Sequence, residues 1–247
     1  AALLSSPNNT LGIEYGRALL RVGAAPALFT IPRTGAAHDA TPENAGGYSA
    51  SAIRHLLAEG RRADALSRMV PAMRTVYEVE EAAGRAPVFA AACGRAILAR
   101  LRSMTPAEFD ALDTGHEGVG QRLYNASRNA ATLDAVLDNA KTKRYAYARL
   151  RRMVLWAYLG LSPAELPASV PYLRVLAANE TGRALLGRMR KTARFPVITK
   201  PAAIRSLSPD SQRLFETESR AADLYALAYP ELTEACGSLW RQNPVMP

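Results

Sequence analysis

Cysteine is scarce in this chain: Cys93 and Cys236 are its two, far apart and in no CxxC pair. That excludes a disulfide framework and a cysteine-based zinc site, and it predicts a reduced, cytoplasmic protein. Histidine is nearly as rare, and His38, His55 and His116 stand in no metal-ligand spacing with Cys, Asp or Glu. No P-loop, GxGxxG or Ser-His-Asp order occurs. No apolar run reaches the length of a membrane span, because each candidate is broken by Arg, Glu or Gly. Signal-peptide order is missing, as are internal repeats and low-complexity tracts. The chain also lacks a starting Met. Ala1-Ala2-Leu3-Leu4 reads like the tail of a helix already under way, which predicts a truncated or processed chain.

What remains is 49% hydrophobic and 21% charged over 247 residues, enough for one large domain or two modest ones. The net charge of +9 is unevenly spread. Residues 121–160 hold Arg122, Arg128, Lys141, Lys143, Arg144, Arg149, Arg151 and Arg152 against Asp134 and Asp138, a net of +6. Residues 181–206 hold Arg183, Arg188, Arg190, Lys191, Arg194, Lys200 and Arg205 against no acid, a net of +7. Elsewhere the chain is net negative. Charge held in two segments is what a phosphate footprint requires, whereas charge for solubility would be dispersed.

The densest stretch is Lys141-Thr142-Lys143-Arg144-Tyr145-Ala146-Tyr147-Ala148-Arg149-Leu150-Arg151-Arg152, with six cations, two tyrosines and no acid. Cations interleaved with aromatics suit RNA, which offers both phosphates and flat rings. A solvated basic face on a surface helix is the alternative. A helix starting near Lys141 would put Lys141, Tyr145, Arg149, Arg152 and Trp156 on one face. Ala146, Leu150, Met153, Val154 and Ala157 would form the opposite, core face. That segregation favours binding.

The first 60 residues have another character. Asn9 or Thr10 can cap a helix running to about Val22, stopped by Gly23. Residues 27–31, bounded by Pro26 and Pro32, read as a buried strand. Residues 32–48 make a long loop, and Ser49 caps a helix from Ala50 to about Glu59. Helix–strand–loop–helix is a piece of a doubly wound α/β domain, but one strand makes no sheet. After Gly60 the spacing is helical near 62–69, 71–83, 87–103, 106–112, 116–130, 132–139 and 144–160. Short strands are expected at 172–176 and 195–198, a helix at 180–186, and a long helix from about Pro209 to Ala228.

In this first part, Ser49, Ser51 and Arg54 surround one helix start, where hydroxyls, free N–H groups and the helix dipole favour an anion. A serine cap beside a surface arginine explains the same residues. Asn8 stands at another helix start. Arg33 follows the expected strand, where ligands bind in open α/β sheets.

Together these strings resemble bacterial tRNA(Met) cytidine acetate ligases, a nucleotidyltransferase family. The resemblance rests on Pro7-Asn8-Asn9-Thr10-Leu11-Gly12-Ile13-Glu14-Tyr15, Arg33 with His38-Asp39, Ser49-Ala50-Ser51-Ala52-Ile53-Arg54, Glu117-Gly118 and Lys141-Thr142-Lys143-Arg144-Tyr145, in that order. It extends through Tyr172-Leu173-Arg174-Val175-Leu176 to Pro244-Val245. It implies an enzyme that uses ATP, with Mg2+ as an accompanying ion, to activate acetate as acetyl-adenylate. The acetyl group then passes to N4 of the wobble cytidine of elongator tRNA(Met), with AMP and pyrophosphate released. It also implies ATP contacts at Asn8 and Arg33 and tRNA contacts at Lys141, Lys143 and Arg144. Helix-start chemistry adds Ser49, Ser51 and Arg54 as phosphate neighbours, and the basic face adds Arg149 and Arg152 as tRNA contacts. The expected fold is the carboxyl-terminal α/β piece of a Rossmann-like nucleotidyltransferase domain in residues 1–60, followed by a mainly helical tRNA-binding domain in 61–247.

One departure stands out. The family's histidine motif around an Asn-Gly pair, and the Glu-Tyr-Asn-Pro-Phe stretch before it, are not in these residues. The chain is therefore expected to be a carboxyl-terminal fragment without ligase activity by itself. Two other functions fit the residues: a non-catalytic RNA-binding protein, and a nucleotidyltransferase of small-cofactor metabolism whose basic segments are only surface.

Overall fold

The computed structural model describes residues 7–31, 49–113, 115, 117–232 and 235–246. The chain divides into two compact units, Ala1–Arg68 and Met69–Pro247.

In the first unit, helix α1 spans Pro7–Val22. Proline suits its first position, where the missing N–H would have no intrahelical partner. The helix thus begins earlier than expected, and Asn9 and Thr10 lie inside it rather than capping it. Its apolar residues stay largely exposed, Leu20 and Val22 included. Residues 27–31 are irregular, not a strand, with Phe29 and Ile31 more than nine-tenths exposed. A strand is held by a ladder partner, and the described residues of this unit contain none. The expected α/β character is therefore not seen there. Helix α2, Ala50–Ala58, is capped as expected, with the Ala52 amide donating to Ser49 Oγ at 3.1 Å. It packs Ile53 and Leu56 with Ala65 and Leu66 of α3, Arg62–Ser67.

The second unit opens with α4, Pro71–Ala82, and continues through α5, Gly94–Ser103, and α6, Pro106–Ala111. Then come α7, Val119–Asn129, α8, Leu133–Ala140, and α9, Tyr147–Leu159. Leu101, Phe109, Leu123, Val136 and Leu150 are fully buried at the centre of this bundle. Thr105 and Glu108 close a reciprocal capping box on α6. Helix α7 starts at Gly118, whose φ of +81° puts it in the left-handed region that favours glycine. Two residues on, Gly120 lets α7 approach α6 closely: a Cβ there would sit 2.6 Å from the Phe109 carbonyl oxygen. Phe109 and Tyr124 then meet edge to face with ring centroids 5.6 Å apart.

Beyond the bundle, β1, Leu173–Arg174, pairs in parallel with β2, Val197–Ile198, around α10, Glu180–Thr192. Helix α11 spans Pro209–Ala226 and α12 Ser238–Arg241. Tyr172, Ile198, Ile204, Phe215 and Leu239 form a second, smaller core beside the bundle core. These strands and α11 fall where the sequence puts them, and α10 runs a turn and a half further.

Candidate nucleic-acid interface and nucleotide site

The basic run Lys141–Arg152 is not one helix. Helix α8 ends at Ala140, and Lys141 is its extended C-cap. Thr142 Oγ1 then accepts from the Arg144 and Tyr145 amides, a local turn that competes with helix formation. Only at Tyr147 does α9 begin. The single face expected for Lys141, Tyr145, Arg149, Arg152 and Trp156 therefore does not exist as such. The core face is as expected for Leu150, Met153, Val154 and Ala157, which are buried, whereas Ala146 is exposed.

Tyr145 is buried, 7% exposed, and its hydroxyl donates to the Glu117 carbonyl at 2.5 Å. Arg144 and Arg149 both stand near its ring, at 5.8 and 5.7 Å from the centroid. Arg149 turns inward. Its guanidinium donates to Asp113 Oδ1 and to Glu117 Oε2, each at 2.8 Å. Asp113 is 4% exposed and also accepts from the Gly115 and Glu117 amides, at 3.1 and 2.9 Å. Burial pushes the Asp113 carboxyl up, but the two amides and Arg149 outweigh it and hold it below the usual range. The Arg149 guanidinium likewise lowers Glu117. This clasp ties residues 113–118 to the basic run. Neither Asp113 nor the burial of Tyr145 was singled out in the sequence, although Glu117-Gly118 flagged the segment.

Other cations of 121–160 are also engaged within the fold. Arg122 donates to the Ala140 and Asn139 carbonyls at 2.7 and 3.0 Å. Arg128 donates to the carbonyls of Arg102 and Met104. Both satisfy backbone oxygens at helix ends. That leaves Lys141, Lys143, Arg144, Arg151 and Arg152 exposed on the outer surface. Lys141 and Arg151 both lie near the Tyr147 ring, at 5.2 and 5.5 Å, and Arg152 lies 5.9 Å from the Trp156 ring. Arg144 keeps a loose contact with Glu117 at 3.8 Å. The surface therefore offers five cations among two aromatic rings.

In the first unit, Ser49 is occupied as the α2 cap, Ser51 is half-buried in the first turn, and Arg54 is exposed one turn in. Arg54 makes no hydrogen bond or ion pair among the described residues. Asn8 is exposed in the first turn of α1. Arg33, His38 and Asp39 lie outside the described residues. Within the described residues no three His, Cys, Asp or Glu side chains gather as a metal cage for Mg2+, and no helix is long and apolar enough to cross a membrane.

Comparison with known proteins adds to this geometry. The sequence model described as HIGH nucleotidyl transferase matches residues 1–238. The tRNA(Met) cytidine acetate ligase of Alkaliphilus metalliredigens is 32% identical over 234 residues, covering 92% of this chain and 55% of that protein. Its Acetivibrio thermocellus counterpart is 31% identical over 258 residues, covering 99% and 61%. Among solved structures, apo Thermotoga maritima TmcAL superposes with a TM-score of 0.89 at 25% identity, over 98% of this chain and 61% of that one. The same protein bound with alpha-thio ATP gives 0.88 at 25% identity, over 98% and 60%. The chain thus spans 55% to 61% of the length of these relatives.

Proposed function

This chain belongs to the HIGH nucleotidyl transferase family, and from that premise we propose that it serves an ATP-dependent acetylation of elongator tRNA(Met). In the proposed reaction an acetate oxygen attacks the α-phosphorus of ATP and pyrophosphate leaves. The N4 amine of the wobble cytidine then attacks the acetyl carbon, and AMP leaves as the amine gives up a proton. Acetate needs this activation because its own oxygen is a poor leaving group.

The ATP side of the reading lies in residues 1–60. Asn8, Arg33, Ser49, Ser51 and Arg54 are the proposed contacts, and Arg54, exposed one turn into α2 and without a partner among the described residues, is what supports an anion there. The tRNA side lies in 61–247, with Lys141, Lys143, Arg144 and Arg152 as phosphate contacts. Arg151 joins them because it is exposed beside the Tyr147 ring. Arg149, with both its acidic partners at 2.8 Å, is assigned to the fold instead. The histidine motif that the resemblance calls for is not among these residues. The chain by itself is expected to release no AMP from ATP, acetate and tRNA.

One observation carries the reading: a surface of five exposed cations interleaved with aromatic rings, in a chain whose similar proteins are named tRNA(Met) cytidine acetate ligases. Titration of the chain with elongator tRNA(Met) at several salt concentrations tests it. Affinity should fall steeply with salt, and the Lys141→Ala/Lys143→Ala/Arg144→Ala variant should lower the log–log slope by about 2–3. An unchanged slope removes this surface from the RNA footprint. A small-cofactor nucleotidyltransferase would bind tRNA no better than other polyanions.

A further inference from the structure

Phosphate contacts hold RNA but do not read it. Beside the basic run lies a surface of the opposite kind. An open groove of about 530 Å³ runs between α7 and α8, and its lining includes Gln121, Asn125, Asn129 and Asn139. The chain has only eleven carboxamide side chains, and four of them meet here. On α7 they recur every fourth residue, at 121, 125 and 129, so one helix face carries all three. Asn139 adds a fourth from the end of α8. Gly118 and Ala126 keep the lining low, and among the described residues no carboxylate contributes to it.

Arg122, the one charged lining residue among the described residues, is turned onto the Ala140 and Asn139 carbonyls. Those contacts fix the groove directly against Lys141, the next residue in the chain. Gly118 lies at the same end, one turn before Arg122, and follows Glu117, whose carbonyl accepts from the Tyr145 hydroxyl and whose carboxylate faces Arg144 at 3.8 Å. That end of the groove is thus anchored to the basic run through both helices, and Asn129 lies at the far end of α7. Gln121 donates to Asn125 Oδ1 at 3.2 Å and Asn129 to the Asn125 carbonyl at 3.0 Å. Other amide hydrogens and oxygens remain open to solvent.

A carboxamide offers a donor and an acceptor side by side, the pattern a nucleobase edge presents, and it carries no net charge to add to the salt-dependent hold on phosphate. We propose that this groove is a base-reading site for unpaired RNA nucleotides, whose phosphates are held by the neighbouring cations. The inference rests on the RNA-binding reading above and adds to it the element that distinguishes RNA from any other polyanion. A single-stranded loop supplies the splayed bases that such a site needs.

The test compares two probes on the full chain: elongator tRNA(Met), and an abasic oligonucleotide that keeps phosphates without bases. The Gln121→Ala/Asn125→Ala/Asn129→Ala variant keeps α7 helical, since alanine is the best helix former. It should lose at least about tenfold in tRNA affinity, with the salt slope and the abasic affinity unchanged. Asn139→Ala, on the other wall, should move affinity in the same direction and guards against a folding defect in α7. Equal loss for both probes, or no loss for tRNA, overturns the base-reading site. Wild-type chain that binds neither probe in a salt-dependent way would instead overturn the RNA-binding reading itself.

Discussion

A single residue illustrates how little a charge count says about binding. Arg149 sits in the middle of the most basic stretch, yet its charge is committed to Asp113 and Glu117. Removing Asp113 should therefore destabilise the fold rather than remove a ligand contact. Asp113→Ala strands two backbone amides and half of a guanidinium that is one-quarter exposed. A loss of about 2 kcal/mol is expected, below the full cost of a sealed ion pair because solvent reaches Arg149. Denaturant unfolding checks it. The pH dependence has a definite sign. Because Asp113 is held below its ordinary range, the folded state binds fewer protons than the unfolded one. The clasp therefore contributes fully above about pH 4 and is lost as pH falls through the lowered folded value. In Asp113→Asn this part of the acid sensitivity should vanish, and an unchanged acid transition would contradict the assignment.

Helices whose signals are local were legible, and those set by distant partners were not. Ser49 before α2, Thr105-Pro106 with Glu108 on α6, and the apolar spacing of α9 all lie within a few residues of what they specify. The start of α9 does not, because Tyr145 is drawn out of helix by Glu117, 28 residues earlier. Residues 27–31 fail for the reverse reason: their composition suits a strand, but a strand takes its stability from a neighbour. The amide groove was not legible in the sequence: Gln121, Asn125 and Asn129 recur every fourth residue among other polar residues, and only folding brings Asn139 across to them. The α6–α7 contact shows the same dependence on distance. Gly120 reads as an unremarkable helical glycine, yet a methyl group there meets backbone rather than a yielding side chain. Gly120→Ala should cost about 1–3 kcal/mol despite the better helix propensity of alanine, because the two helices must separate. A melting temperature at or above wild type would show that the helices shift at no cost.

Across the whole molecule, the question is whether the two basic segments serve one polyanion. Engagement within the fold reduces the first to five exposed cations, while the second retains Arg188, Arg190 and Lys191 exposed along α10. Helix α10 has no fully buried residue, and packing therefore does not dictate where these cations point. Each phosphate neutralised contributes about 0.7–0.9 to the slope of log affinity against log salt, so slopes count contacts. Arg188→Ala/Arg190→Ala/Lys191→Ala should therefore lower the tRNA slope by about 2–3. Combined with Lys141→Ala/Lys143→Ala/Arg144→Ala, the decrements should add, because distant phosphate contacts act independently. Additivity would mean that one RNA touches both segments at once. A slope unmoved by the α10 changes would confine the footprint to residues 141–152 and leave the second segment as solvated surface.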